Sequence, residues 1–154
     1  MKKGKAFVVV GHSHWGKSRT IRSLTGSTHI GWFELDDLTI FIRRMSNDDK
    51  PDSLVDFLKK IDPGLKPIII IALCPNFDDR NRKTKGILRL VGKKYVPYFF
   101  VLRQRYSRRC GKTEEVTHKE IGTLRSIGRV KLVRGRLPDY LRARALKEFM
   151  TANA

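Results

Sequence analysis

Apolar residues in this chain alternate between short continuous runs and longer stretches in which they recur every three or four positions. A continuous run is typical of a buried strand, and a recurrence of three or four is typical of a helix with one apolar face. Two predicted strands separated only by Asp36-Asp37 would form a β-hairpin over residues 30–42. In residues 1–61 the predicted strands are Ala6–Val10, Ile30–Leu35 and Leu38–Ile42, and the predicted helices are Lys17–Leu24 and Asp52–Ile61.

The second half continues this alternation, and its first run contains four consecutive isoleucines, which is typical of a strand buried on both faces. The predicted strands are Ile68–Leu73, Tyr95–Leu102 and Val130–Val133, and the predicted helices are Arg80–Val91, Thr113–Ile127 and Pro138–Met150. Strands that alternate with helices predict an α/β fold, a three-layer α/β/α sandwich around a mainly parallel sheet of five to six strands. Ligands of such sheets bind beyond the carboxyl ends of the strands.

The length of the chain predicts the number of domains, and its charge predicts the kind of partner. The 154 residues, of which 40% are hydrophobic, predict a single globular domain spanning 1–154. Lys and Arg number 33 against 15 Asp and Glu, a net charge of +18. Residues 76–154 carry 21 of these basic and 7 of these acidic side chains, a net charge of +14. Such a field favours a phosphorylated substrate, nucleic acid or another polyanion bound through residues 80–147, and the alternative is a solvated basic surface.

The cysteines and the apolar runs do not indicate export or membrane insertion. Cys74 and Cys110 lack C-x-x-C spacing, so neither a disulfide framework nor a zinc site is predicted. The apolar run that follows the N-terminal lysines is too short for an export signal. The longest apolar run, Pro67–Pro75, is far short of the roughly 20 residues of a membrane helix. We therefore expect a soluble, cytoplasmic protein that does not bind membranes.

The segment between the first strand and the first helix carries the strongest chemical signal. It reads Gly-His-Ser-His-Trp-Gly-Lys-Ser over residues 11–18 and fits the phosphate-binding pattern G-x-x-x-x-G-K-[ST] at every fixed position. The two glycines let the backbone wrap a phosphate, Lys17 reaches the β- and γ-phosphates, and the Ser18 hydroxyl binds Mg²⁺. The predicted nucleotide-binding residues are Gly11, His12, Ser13, His14, Trp15, Gly16, Lys17, Ser18 and Arg19.

This motif resembles that of the P-loop NTPase superfamily over about residues 6–24, and beyond that range the resemblance is topological. The resemblance implies ATP or GTP, together with Mg²⁺, as the bound cofactors. The bulky residues inside the loop are unusual for this motif. Trp15 would either cover the nucleotide or pack on the sheet edge. His12 and His14 do not predict a metal site, because no further ligands stand at metal spacing.

Two motifs that P-loop GTPases carry do not occur at the expected positions of this chain. The segment after Tyr95–Leu102 reads Arg-Gln-Arg-Tyr where Asn-Lys-x-Asp would bind guanine, and no D-x-x-G follows Leu38–Ile42. The predicted order of elements is still compatible with a GTPase-like switch. The missing guanine motif predicts that ATP is bound at least as well as GTP.

The chain resembles small P-loop kinases, such as polynucleotide or nucleoside monophosphate kinases, more than it resembles GTPases. In such kinases a carboxylate after the second strand accepts the proton of the attacking hydroxyl, and Asp36 and Asp37 stand there. Arginines of their lid clamp the transferred phosphoryl group, and Arg103, Arg105, Arg108 and Arg109 follow the fourth main strand. The resemblance thus implies Lys17, Asp36, Asp37, Arg105 and Arg108 as catalytic residues. The alternatives are that Asp36 and Asp37 form only a polar turn and that the arginines lie in a solvated loop.

The run Ile68–Leu73 departs from the kinase pattern, because it ends in Cys74 where a Walker B aspartate would bind the metal. Four aspartates could replace it: Asp36, Asp37, Asp48 and Asp78. The leading hypothesis is an ATP/Mg²⁺-dependent phosphotransferase or NTPase with a basic face for a phosphorylated or nucleic-acid substrate. The alternative is a nucleotide-dependent binding module or GTPase-like switch that docks nucleic acid or a protein.

Overall fold

The computed structural model describes residues 2–12, 14–26, 30–48, 50–107, 112–134 and 137–154. Its helices are α1 (Lys17–Thr25), α2 (Pro51–Lys60), α3 (Thr84–Lys94), α4 (His118–Arg125) and α5 (Asp139–Asn153). Its strands are β1 (Gly4–Val10), β2 (Ile30–Leu35), β3 (Leu38–Arg43), β4 (Ile68–Leu73), β5 (Tyr95–Leu102), β6 (Gln104–Ser107), β7 (Lys112–Glu115) and β8 (Arg129–Val133).

Six of the strands form one sheet in the order β2-β3-β4-β1-β5-β8. Five of them run parallel, and β2 pairs antiparallel with β3, which confirms the mainly parallel sheet and the hairpin over 30–42. The central strands β1 and β4 are buried along nearly their whole length, as expected for strands covered by helices on both faces. Helix α1 packs against α5, and α2 packs against α3. The α/β/α prediction is confirmed.

The region between β5 and β8 differs from its prediction. Residues 113–127 were predicted as one helix, but β7 occupies their start and pairs with β6 as a separate hairpin. Helix α4 begins only after Thr117, where a capping box joins Thr117 to Glu120 through N–H···O bonds of 3.1 and 2.9 Å. The box stops the helix from extending further back, because Thr117 has an extended backbone.

Helix α3 also begins later than its predicted start at Arg80. Residues Arg80–Arg82 form a separate 3₁₀ turn, in which the Asp79 carboxylate accepts the Asn81 N–H at 2.9 Å. Lys83 then adopts a left-handed conformation with a φ of 56° and separates the turn from α3.

Part of the positive charge stabilises the fold. Three lysine ammonium groups donate to carbonyls at the C-terminal ends of helices, where the helix dipole favours a cation. Lys94 Nζ donates to the carbonyls of Leu58, Lys59 and Ile61 at 2.8–3.0 Å, Lys3 Nζ to Gly92, and Lys5 Nζ to Asn153. Among the described residues, no helix is both long and apolar enough to cross a bilayer.

Candidate nucleotide-binding site

The loop that follows β1 has left-handed backbone at two of its described residues, Gly16 and His14. Gly11 N–H bonds to the Leu73 carbonyl of β4 at 3.1 Å, and the loop therefore leaves the sheet at the carboxyl ends of its central strands. Gly16 ends the loop with a φ of 91°, a left-handed value that side chains rarely adopt. His14 is also left-handed, with a φ of 65°, and the Trp15 N–H closes a turn onto the His12 carbonyl at 3.2 Å.

Helix α1 begins directly at the end of this loop. The first N–H group of α1 that bonds to the N-cap residue is that of Thr20, which donates to the Gly16 carbonyl at 2.9 Å. The N–H groups of residues 17–19 therefore lie at the helix terminus. Among the described residues no side chain caps this terminus, and the first turn carries no acidic residue. The helix dipole and these N–H groups make the terminus a site that favours an anion.

Lys17 folds back over the loop. Its Nζ donates to the carbonyls of Gly11 at 2.7 Å and His12 at 2.9 Å, and the side chain is only 6% exposed. The ammonium group is thus held at the helix terminus where the N–H groups also converge. The sequence predicts that Lys17 binds phosphate oxygens, and this role stays a prediction.

Asp48 is the carboxylate that meets Lys17. One of its oxygens lies 3.6 Å from Lys17 Nζ, and the Asp48 side chain is only 9% exposed. Because β4 lies between β1 and β3, the segment that follows β3 must cross the end of β4 to reach the loop. Among the four aspartates considered from the sequence, Asp48 is the one that this crossing brings to Lys17.

Asn47 fixes the crossing segment to the end of β4. Its side chain is fully buried, and its Oδ1 accepts the Cys74 N–H at 2.6 Å. Its Nδ2 lies within 3.0–3.2 Å of the Cys74 carbonyl, the Arg82 carbonyl and the Thr84 hydroxyl. The amide therefore ties three segments together and sets the position of the adjacent Asp48. Sequence reasoning did not identify Asn47.

Cys74 and Glu120 contact His12 from two sides. The Cys74 sulfur lies 3.9 Å from His12 Nδ1, and Glu120 Oε1 lies 3.7 Å from His12 Nε2. Burial lowers the pKa of His12, against the opposing effect of the Glu120 carboxylate, and the charge of Lys17 lowers it further. Burial also raises the pKa of the Cys74 thiol. Both groups are therefore expected to be uncharged near neutral pH.

The other loop residues separate into packed and exposed positions. Trp15 is 4% exposed and meets the His12 ring edge-on at 5.0 Å between centroids, so it packs into the core. His14 and Arg19 are exposed, and Ser18 is partly buried. Ser13 lies outside the described residues. Within the described ranges no three His, Cys, Asp or Glu side chains form a group that could hold a metal ion.

The structure does not bring Asp36 and Asp37 to this loop. They follow β2, which runs antiparallel, so the carboxyl end of β2 lies at the amino ends of the parallel strands. The Asp36 carboxylate lies 3.8 Å from Lys147 Nζ, and its φ of 52° marks the hairpin turn. The prediction of a proton-accepting carboxylate assumed that the second strand ended at the phosphate-binding edge, and the strand direction contradicts that assumption.

The arginine cluster is described only in part. Arg103 directly follows β5, beside the loop, and its N–H donates to the Val133 carbonyl at 2.9 Å. The Arg103 Nε is buried, and within the described part of the chain it has no hydrogen-bond partner. Arg105 lies in β6. Arg108 and Arg109 lie outside the described residues, so their predicted contact with phosphate stays a prediction.

Sequence reasoning also missed Arg142, which lies behind the loop. Its Nε donates to the Thr20 hydroxyl at 3.0 Å, and its guanidinium pairs with Asp139. No local pattern could have found it, because 122 residues separate Arg142 from Thr20.

The fold and the Gly11–Ser18 loop together define a P-loop NTPase-like α/β domain. The G-domain of FeoB from Methanococcus jannaschii has the same overall fold, with a TM-score of 0.50 and 13% identity over 97% of this chain and 99% of that chain. A sugar kinase from Janibacter sp. HTCC2649 gives a TM-score of 0.49 at 10% identity over 97% of this chain and 96% of its own. No family model and no curated protein sequence matches the chain.

Proposed function

We propose that this chain binds a nucleoside triphosphate and Mg²⁺ at the loop Gly11–Ser18. The observation that carries the proposal is Lys17, which is held at the N-terminus of α1, where no described side chain forms a cap, with a buried carboxylate 3.6 Å away. An ammonium group, helix N–H groups and a glycine-rich turn are complementary to the β- and γ-phosphates. The oxygens of Ser18 and Asp48 are the kind of ligand that Mg²⁺ prefers, and the ion would neutralise phosphate charge there.

Replacing Ser18 with Ala tests the metal part of this proposal. We expect the affinity for a non-hydrolysable ATP analogue to fall about tenfold with Mg²⁺ present, or about 1.4 kcal/mol. Without the ion the affinity should be unchanged, because the hydroxyl is proposed to bind the metal rather than phosphate. Calorimetry with and without Mg²⁺ measures both values, and Ser23→Ala on the exposed side of the same helix is the matched control. Equal losses in both conditions would contradict the metal role.

Base preference is the second expected outcome. ATP should bind at least as well as GTP, because no Asn-Lys-x-Asp follows β5 and the backbone continues from Arg103 into β6 instead. Competition of both nucleotides against a fluorescent triphosphate measures the ratio. A preference for GTP above about tenfold, or about 1.4 kcal/mol, would favour the GTPase-like switch.

The reaction that we propose is phosphoryl transfer from the triphosphate to a hydroxyl acceptor or to water. Such transfer depends chiefly on positioning and on cations around the phosphate oxygens. Lys17 lies at the loop and Arg103 follows β5, and Arg105 and Arg108 are proposed to close on the transferred group. The basic character of residues 76–154 favours a phosphorylated or nucleic-acid acceptor.

A second candidate is a binding module in which the nucleotide is a ligand or switch rather than a substrate. One observation favours it: Asp36 and Asp37, the predicted proton acceptors, lie at the amino ends of the parallel strands, away from the loop. Release of inorganic phosphate and transfer of labelled phosphate to nucleoside monophosphates and to polynucleotides separate the two. Turnover that requires an acceptor supports the transferase, and stoichiometric binding without turnover supports the module.

A further inference from the structure

Arg142, from the C-terminal helix α5, lies buried directly behind the phosphate-binding loop. The residue is 6% exposed. Its guanidinium contacts the loop: a Cβ built on Gly16 would lie 2.6 Å from Arg142 Nη2. The left-handed φ of 91° already disfavours a side chain at position 16, and the guanidinium occupies the space that a side chain would need.

Hydrogen bonds connect this arginine to the backbone of the loop. Arg142 Nε donates to the Thr20 hydroxyl at 3.0 Å, and the Thr20 hydroxyl donates to the Gly16 carbonyl at 2.8 Å. The Thr20 N–H donates to the same carbonyl at 2.9 Å. Asp139, one turn earlier in α5, pairs with Nη2 of the same guanidinium. These hydrogen bonds from Arg142 through Thr20, which we call the relay, end on Gly16, the residue that orients the first N–H groups of α1.

Burying a cation between two helices costs free energy. Hydrophobic side chains of similar volume would pack α1 against α5 at least as stably, because burying an ion removes its hydration. The fork of a guanidinium can instead hold the hydroxyl and the carboxylate at fixed angles. Its charge also lies next to a loop that is proposed to receive several negative charges.

We infer that Arg142 is a positioning residue of the nucleotide site. It acts through Thr20 and Gly16, holds the loop in its binding conformation, and couples that conformation to the C-terminal helix. This inference rests on the proposed function.

Arg142→Met tests the inference, because methionine preserves most of the volume and removes the fork. We expect the affinity for an Mg²⁺–triphosphate analogue to fall about tenfold or more by calorimetry. Arg144→Met is the matched control, since Arg144 lies on the same helix and is exposed, with Glu148 as its ion-pair partner. Its affinity should equal that of wild type. Arg142→Lys keeps the charge but not the fork, so it should restore less than half of the lost binding free energy.

A folded Arg142→Met protein with wild-type affinity would overturn the inference, as would full restoration by Arg142→Lys. If Arg142→Met does not fold, Thr20→Val and Thr20→Ser form a second pair. Valine removes the hydroxyl of the relay and serine keeps it, so only Thr20→Val should lower the affinity. Equal affinities in this pair would overturn the inference.

Amide hydrogen exchange separates a failure of this inference from a failure of the proposed function. Without any nucleotide, Arg142→Met should exchange faster than Arg144→Met at the Thr20 amide, which donates to the Gly16 carbonyl. Unchanged exchange there would contradict the positioning role. If the Thr20 amide exchanges faster but neither wild type nor variant binds triphosphate, the positioning role stands and the proposed ligand is wrong.

Discussion

Replacing Lys17 with Ala is expected to lower the affinity for an Mg²⁺–triphosphate about 100-fold, or about 2.7 kcal/mol. The Lys17 ammonium lies at the α1 terminus within hydrogen-bond distance of two loop carbonyls, and it would bind the β- and γ-phosphates from that position. Hydrogen bonds to charged groups contribute more than neutral ones, which sets this magnitude at the upper end of the effects expected here. Calorimetry on wild type and variant measures the difference.

The variant also leaves the Asp48 carboxylate buried without its lysine, so some of the effect could come from stability. The double variant Lys17→Ala/Asp48→Asn controls for this, because it removes both charges of the pair. Its affinity is compared without Mg²⁺, because Asp48 is also a proposed ligand of the ion. We expect its melting temperature to lie above that of Lys17→Ala and its affinity to stay low. Affinity that returns to the wild-type value in the double variant would contradict phosphate binding by Lys17.

Replacing Asn47 with Ala is expected to lower the free energy of unfolding by about 3 kcal/mol, since an unsatisfied buried donor alone costs about 1–3 kcal/mol. The Cys74 N–H loses its acceptor, and the carbonyl of Arg82 loses the Nδ2 donor. Urea denaturation measures the loss. The affinity for triphosphate should also fall, because Asp48 is no longer fixed opposite Lys17.

Asn47→Asp is the informative comparison. Its carboxylate can still accept the Cys74 N–H, but it cannot donate to the carbonyls of Cys74 and Arg82. We expect a loss of stability at least as large as in the alanine variant, because the buried carboxylate would lose its hydration and face two carbonyl oxygens. An alanine variant as stable as wild type would show that the crossing segment is held by other contacts.

Features that depend on local sequence were predictable. The loop Gly11–Ser18 matches its pattern through residue types at fixed spacing, and its conformation is set by glycine and by the start of α1. The buried strands β1 and β4 were identifiable because each is a continuous apolar run. The hairpin over 30–42 was identifiable because two apolar runs flank an acidic turn.

Features that depend on strand order were not predictable. Asp48 reaches Lys17 only because β4 lies between β1 and β3, and nothing in residues 44–50 specifies that order. The direction of β2 likewise decides that Asp36 lies away from the loop. Between β5 and β8, the stretch 113–127 contains enough apolar positions for one helix, but pairing with β6 takes its first residues into a strand.

The contact between Arg142 and Gly16 was not predictable from the sequence either. Its packing against Gly16 requires α5 to lie beside α1, which is a property of the assembled layers. In the sequence it is one of three basic residues in the predicted helix Pro138–Met150.

The central claim is that the Gly11–Ser18 loop binds the phosphates of a nucleoside triphosphate. Two-dimensional ¹H–¹⁵N NMR of the wild-type chain, titrated with a non-hydrolysable ATP analogue and Mg²⁺, tests it residue by residue. The account predicts a saturable titration in which the amides of Gly16, Lys17 and Ser18 shift most and that of Asp48 also shifts. Amides at this loop that stay unshifted up to millimolar nucleotide would contradict it.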